Sequence, residues 1–376
     1  EAFTFLPDAG LDTPPQRVTY RALLAHIHRA ANAFRALGVH ETDTVAMLAP
    51  NTPEAHAVLW GAQLAGRVCP INFLLQPDHI AALLQASGAK VLVALGPNAE
   101  LAVWPTAQAV HALHATTLVP ITVNDAVPGT QSLQDLMAEQ PDTLTFEPDL
   151  NPDRVVALFH TGGTTGAPKL AIHTHANQVF TAWAAVQLQG AGPGDVVING
   201  YPLFHVAGVL PASLAALSAG VQTVIPTTQL LRNREVLRNY WRLVERHRAT
   251  SLQGVPTILA ALAEIPLDGA DISSLRYCRT GAAPLPAELA ARFERLFGLH
   301  VNESLGMTEM AGISSITPPG VIGPVGCVGF PLPYARMRIV ALDSLDGNGR
   351  DLPVGEVGMV LFRSPNVFPG YLDAAD

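Results

Sequence analysis

With 376 residues, 49% of them hydrophobic and 14% charged, the chain has the make-up of a globular protein with more than one packed unit, not of a disordered one. Its formal net charge of −9 gives it no attraction for nucleic acid or an anionic membrane surface, which leaves small molecules as the partners that fit. The three cysteines, Cys69, Cys278 and Cys327, are odd in number with no CxxC pair, which argues against a disulfide framework or zinc site and for reduced core residues of a cytoplasmic protein. No apolar run approaches the length of a membrane span, and Pro7, Pro14 and Pro15 with nearby charges interrupt the first twenty residues, so neither a span nor a signal peptide is expected. The chain opens on Glu1 instead of Met, which leaves room for an upstream piece.

In chain order, Leu23, Leu24, Ile27, Ala31, Phe34 and Leu37 recur at helical spacing with Gly38 at the cap position, predicting a helix over about 20–37. TVAMLA (44–49) reads as a strand, and Asn51-Thr52-Pro53 as a helix start with a capping side chain and a first-turn proline. VCPI near 68–71, a helix around 77–86 and KVLVAL at 90–95 continue the alternation. It resumes from 153 to 303 with VVALF, a helix after Thr174, VVI near 196, a helix over 206–218, QTVIP, a helix near 234–247, TSLQGV, RYCRT and LHVNES. Such alternation predicts an α/β fold with parallel sheets covered by helices. After about 325, the short strands ARMRIV (335–340) and VGMVLF (357–362) between Gly and Pro predict a small antiparallel or barrel-like unit. The expected division is 1–150, 151–324 and 325–376.

The run HTGGTTGAPKLAIHTH (160–175) is the densest chemical signal. It is not the loop of a P-loop NTPase, which needs Lys directly after Gly and then Ser or Thr; here Gly166 is followed by Ala167-Pro168-Lys169-Leu170. Gly162, Gly163 and Gly166 can nevertheless turn backbone N–H groups towards an anion, Thr161, Thr164 and Thr165 add hydroxyls, and Lys169 adds charge. A plain strand-to-helix connection could use the same residues. HTH at 173–175 would put two imidazoles on one face if extended, which raises a metal site as an alternative, although Thr174 is better read as a helix cap.

TGGTTGAPK (161–169) followed by THAN (174–177) resembles the signature of the AMP-forming acyl-CoA synthetases and ligases of the adenylate-forming superfamily, with Leu170 where Gly is usual. Four further motifs fall in family order. PLFHVAG (202–208) resembles a Pro-x-Phe-His segment and implies that His205 is a gate between the acyl pocket and the thiol's path. TGAAP (280–284) implies that Gly281, Ala282, Ala283 and Pro284 face adenine and the acyl-pocket wall. VNESLGMTEM (301–310) implies a nucleotide-facing stretch of Glu303, Ser304, Leu305, Gly306 and Met307, with Thr308 on the α-phosphate and Glu309 on Mg²⁺; Leu305 replaces the usual aromatic residue. GEVGMVLFRSPNVFPGYLD (355–373) resembles the segment that closes the large N-terminal domain.

The resemblance implies two stacked, mostly parallel sheet subdomains with helices between and outside them, plus a small β-barrel-like subdomain. It also implies an enzyme: ATP-dependent adenylation of a carboxylic acid, fatty or aromatic, followed by transfer of the acyl group to coenzyme A. Thr164, Thr165 and Lys169 would hold the leaving pyrophosphate. The family's ribose-binding Asp and its small C-terminal domain, with the adenylation lysine, lie beyond Gly-Tyr, so the chain is expected to be the N-terminal part of a longer enzyme. Loading of a carrier protein, luciferase-like oxygenation and non-catalytic nucleotide or acyl binding remain open at this stage, as does a homodimer. Gly208, Ser304, Gly306 and Gly312 would leave room for a bulky or long acyl group.

Overall fold

The computed structural model describes residues 1–121, 127–161, 169–342 and 349–372. With strands numbered in chain order, a six-stranded sheet runs β6 (Thr117–Ile121), β5 (Ala89–Leu95), β3 (Thr44–Leu48), β4 (Arg67–Pro70), β7 (Val155–His160), β8 (Leu170–Thr174). Its pairings are parallel except the last, where β8 lies antiparallel to β7. A nine-stranded sheet runs β15 (Phe330–Pro331), β14 (Ser315–Ile316), β13 (Val301–Leu305), β12 (Tyr277–Gly281), β11 (Ser251–Gln253), β9 (Val196–Ile198), β10 (Gln222–Pro226), β1 (Phe3–Leu6), β2 (Gln16–Val18). Its middle, from β13 through to β1, is parallel, and both margins are antiparallel. β16 (Arg336–Val340) and β17 (Met359–Arg363) form a separate antiparallel ribbon, the small β unit expected near the C-terminus.

All five residues of β3 are buried, as a parallel strand covered on both faces requires. Helices Pro77–Ser87 and Val103–Leu113 cover the face with Ala46 and Leu48, and helices between the sheets cover the face with Val45 and Met47. Helix Tyr20–Ala36 is capped by Thr19, and helix Pro53–Ala65 by Thr52 with Pro53 in its first turn. The second helix is apolar on nearly every side, the pattern of a helix sandwiched between layers. Its His56 stacks on Phe3 of β1 with ring centroids 4.3 Å apart, while its other side joins Val45, Met47, Val91 and Phe159 of the six-stranded sheet in one core. Leu203, Val206 and Leu210 enter the same core from the other half of the chain.

The first twenty residues, read in the sequence only for a leader, supply β1 and β2 to the nine-stranded sheet, whereas β7 and β8 return to the six-stranded one. Strands from both sides of residue 150 therefore build each sheet. The helix expected over 206–218 is interrupted by a π-helical turn at Leu210–Leu214, where Pro211 has no N–H to give, and the helix expected near 234–247 is broken at Asn239. Cys69 and Cys278 are buried, but Cys327, expected in the core, is exposed on the approach to β15. Among the described residues no helix is long and apolar enough to cross a membrane.

Candidate functional site

At the C-terminal ends of the parallel strands β12 and β13 the nine-stranded sheet opens into a cavity of about 360 Å³, the place where open α/β sheets receive ligands. β12 ends at Gly281, and Ala282 then turns the chain with φ 68, a left-handed conformation that an alanine adopts only at a cost. Beyond β13 the chain doubles back so tightly that a Cβ on Gly306 would sit 1.8 Å from the Gly312 carbonyl oxygen. This close approach shapes the loop in which the single turn Thr308–Met310 presents Thr308 and Glu309 to the cavity.

Of the residues singled out in the sequence, Thr161, His205, Gly281, Ala282, Ser304, Gly306, Met307, Thr308, Glu309 and Gly312 line this one cavity. Ala283 and Pro284 are exposed in the turn beyond it, and Leu305 is half-buried opposite Ser315 of β14; none of the three is in the cavity wall. Glu303 is buried and engaged elsewhere: it accepts from the Leu285 N–H at 3.1 Å and from the Gly326 N–H, which makes it a brace between two loops. Gly208 is outside the wall as well. A Cβ there would lie 2.1 Å from the Pro202 carbonyl oxygen, so its smallness serves the turn before helix Val206–Val209 and not an acyl group.

Gly162, Gly163, Thr164, Thr165 and Gly166 lie outside the described residues. The flanks of their loop are paired: Thr161 N–H donates to the Lys169 carbonyl at 2.9 Å, and His160 stands opposite Leu170. The Gly/Thr run therefore joins two antiparallel strands, and a helix begins only after β8, where Thr174 and Asn177 cap helix His175–Gln189 reciprocally.

Glu309 is held by Phe368 and Tyr371, within the segment expected to close the domain. Its backbone carbonyl accepts from Phe368 N–H at 2.9 Å, and its carboxylate accepts from the Tyr371 hydroxyl. That bond, then burial, pushes the Tyr371 phenol up to about 12. The exposed Lys169 places its Nζ 5.1 Å from the centre of the Tyr371 ring, so one tyrosine touches both a candidate phosphate cation and the candidate metal carboxylate. Asn366 donates to the carbonyls of Met310 and Ile313, both at 2.7 Å, and Asn177 donates to those of Pro365 and Val367 at 2.9 and 3.0 Å.

Burial holds the imidazoles of His160, His173, His175 and His205 below their ordinary pKa. His173 donates from Nε2 to the Thr308 carbonyl at 2.8 Å, and burial pushes its pKa down to about 4. His175 pairs instead with Arg154 at 3.1 Å, so the two imidazoles of HTH serve different partners. His205 accepts the Ala207 N–H on Nδ1 at 3.1 Å, with its ring open to the cavity yet crowded by protein, and that desolvation lowers its pKa. His160 accepts the Asn72 N–H on Nε2 at 3.1 Å, and burial, with His205 nearby, pushes it down to about 4.

A family model described as AMP-binding enzyme matches residues 2–372. The chain belongs to this family. It is 34% identical over 386 residues to a marinolic acid–CoA ligase of Pseudoalteromonas sp. (strain SANK 73390), covering 99% of this chain and 58% of that protein. It is 32% identical over 374 residues to a sulfoacetate–CoA ligase of Cupriavidus necator, covering 98% of this chain and 68% of the relative. Among solved structures, ATP-bound MatB from Rhodopseudomonas palustris superposes with a TM-score of 0.83 at 25% identity, covering 99% of this chain and 68% of that one. The chain thus spans about three fifths to two thirds of the length of these relatives.

For an AMP-binding enzyme the donor set at Glu309 is chemically apt. Mg²⁺ takes oxygen ligands, often one or two carboxylates with the rest from phosphate, and Glu309 with the neighbouring Thr308 offers that minimum. Among the described residues no group of three His, Cys, Asp or Glu could cage a metal by itself. Sequence reading missed Tyr371 and Asn366, whose partners lie 62 and 56 residues away, and also Arg279, buried in the cavity wall. The signal for Arg279 was visible in principle, as a charge inside the otherwise strand-like RYCRT.

Proposed function

We propose that the chain carries the nucleotide and acid sites of an AMP-forming acid–CoA ligase, which joins a carboxylate to the α-phosphate of ATP, releases pyrophosphate, and passes the acyl group to coenzyme A. The observation that carries this reading is the convergence of β12, β13 and the Thr308–Glu309 turn on one cavity, at whose rim the flank of the Gly/Thr loop ends at Thr161. Membership of the AMP-binding family and the CoA-ligase names of the relatives agree with it.

On this reading the chain's own groups act by position and charge. No protein nucleophile is required, because the acid's carboxylate attacks phosphorus. Thr308 donates its hydroxyl to the α-phosphate, and Thr161, Gly162, Gly163, Thr164, Thr165, Gly166 and Lys169 hold the departing pyrophosphate. Glu309 holds Mg²⁺, which when bound neutralises phosphate charge. Gly281 and Ala282 leave room for the flat adenine ring. His205, whose pKa desolvation lowers, borders the cavity where the acid's carbonyl would pass towards the thiol.

The names of the relatives point to dissimilar acids, so they leave the acid of this protein open. The test is pyrophosphate exchange into ATP by the complete protein over a panel of acids, followed by thioester analysis with coenzyme A. Acid-dependent exchange and an acyl-CoA product support the reading. Exchange without coenzyme A thioester would point to another acceptor, and no acid-dependent exchange would refute the reading.

A further inference from the structure

Arg279 stands on β12 two residues before Gly281, so both face the same side of the strand, with Arg279 one side-chain layer, about 7 Å, deeper. It lines the same cavity and is only 5% exposed. Its Nη2 donates to the Thr317 carbonyl at 3.3 Å, and its guanidinium lies 5.1 Å from the centre of the Tyr277 ring. Its buried Nε has no acceptor among the described residues. The titratable groups that act on it are Tyr277, Tyr201 and Cys278, with no carboxylate among them.

An arginine does not shed its proton in a protein, so this is a lasting positive charge in a poorly solvated wall, with no counter-charge among the described residues. Such a charge is costly unless something compensates it, and the residue that carries it lines a cavity. Gln253, its register partner on β11, and Tyr201 border the cavity beside it, adding neutral polar groups to the same deep wall. These two residues also border a second cavity of about 500 Å³.

We propose, on the reading that this cavity seats the acid to be activated, that Arg279 selects acids carrying a second anionic oxygen group, carboxylate or sulfonate, remote from the carboxylate that is adenylated. The activated end lies near Thr308 and Glu309, and the second anion meets the guanidinium one layer deeper. The planar fork of arginine suits either group, because both offer two coplanar or near-coplanar oxygens.

The test is the rate of pyrophosphate exchange by the complete protein with a length series of aliphatic diacids and ω-sulfonated acids, each matched to the neutral-ended monoacid of equal length. A doubly anionic acid of fitting length is expected to exceed its match in kcat/KM by about 10- to 100-fold, the range of a hydrogen bond to a charged group. Arg279→Met should remove that advantage while leaving the KM for ATP within about twofold, and Arg279→Lys should keep part of it, since a point charge replaces the fork. The ranking within the diacid and sulfonate arms tells which anion is preferred. Exchange with neutral-ended acids at equal or better rates in the wild type overturns the inference and leaves the ligase reading standing, and so does a preference unchanged in a folded Arg279→Met. Exchange with no acid of any kind overturns the ligase reading, and this inference with it. Should Arg279→Met fail to fold, the wild-type ranking and Arg279→Lys decide.

Discussion

At the scale of single residues, the account turns on how Glu309 is held. A carboxylate that must meet a cation needs a fixed orientation, and the Tyr371 hydroxyl supplies it. Because Tyr371 is only partly buried, solvent screens the bond, and its contribution is about 0.5–1 kcal/mol. Tyr371→Phe is therefore expected to raise the KM for Mg-ATP about two- to fivefold, with melting temperature nearly unchanged. Steady-state kinetics with Mg-ATP varied would check this, and an unchanged KM would remove Tyr371 from the site. Neither Tyr371 nor Arg279 could be assigned these neighbours from the sequence, since the first depends on contact with a turn 62 residues away and the second on which cavity a buried strand faces. Thr308 and Glu309 were legible, because their motif is local: a strand, a glycine and a turn in consecutive residues.

At the scale of elements, the 308–313 turn has little internal regularity and borrows its shape from outside. Fully buried Asn366 satisfies two of its carbonyls, and Gly306 admits the Gly312 backbone. Asn366→Ala would leave both carbonyls without a donor, at a cost of about 2–4 kcal/mol. The expected outcome is a lower urea midpoint together with weaker nucleotide binding; a loss of stability with binding intact would separate this clip from the site. Gly306→Ala drives a methyl into backbone that cannot yield, so loss of the turn, seen as loss of nucleotide-dependent thermal stabilisation, is expected. The helices here were largely legible. Thr19, Thr52 and Thr174 each cap where a capping residue precedes a helical pattern. β8 was not, because LAIHT follows a Gly/Thr loop and its pairing with β7 is what makes it a strand.

At the scale of the whole molecule, the alternation of strands and helices revealed the fold class but not how the chain is woven. β1 pairs with β10 across more than half the sequence, Phe3 opposite Thr223, and nothing local in FTFL announces that partner. The weave also buries polar groups, and these set a pH dependence. An unfolded imidazole gains a proton below about pH 6.5, whereas burial keeps folded His56 neutral to about 3 and His173 to about 4. The unfolded state thus binds more protons in this window, and stability present above pH 6.5 is lost as pH falls towards 4. At pH 5 the loss is about 2 kcal/mol for each of the two. Urea unfolding at pH 7.5 and 5 should show it, and His56→Gln should flatten the slope; a midpoint independent of pH across that range would contradict the buried, neutral assignment.

The central claim is that the cavity beneath Thr308 and Glu309 is where a carboxylic acid meets ATP. Its most direct test is acid-dependent pyrophosphate exchange by the complete protein, wild type against Glu309→Ala, with melting temperature measured alongside. The account predicts exchange in the wild type, reduced on the order of 10²–10³-fold by the substitution, with the fold intact. A wild type that exchanges nothing with any acid, or a Glu309→Ala variant that exchanges at the full rate, would contradict it.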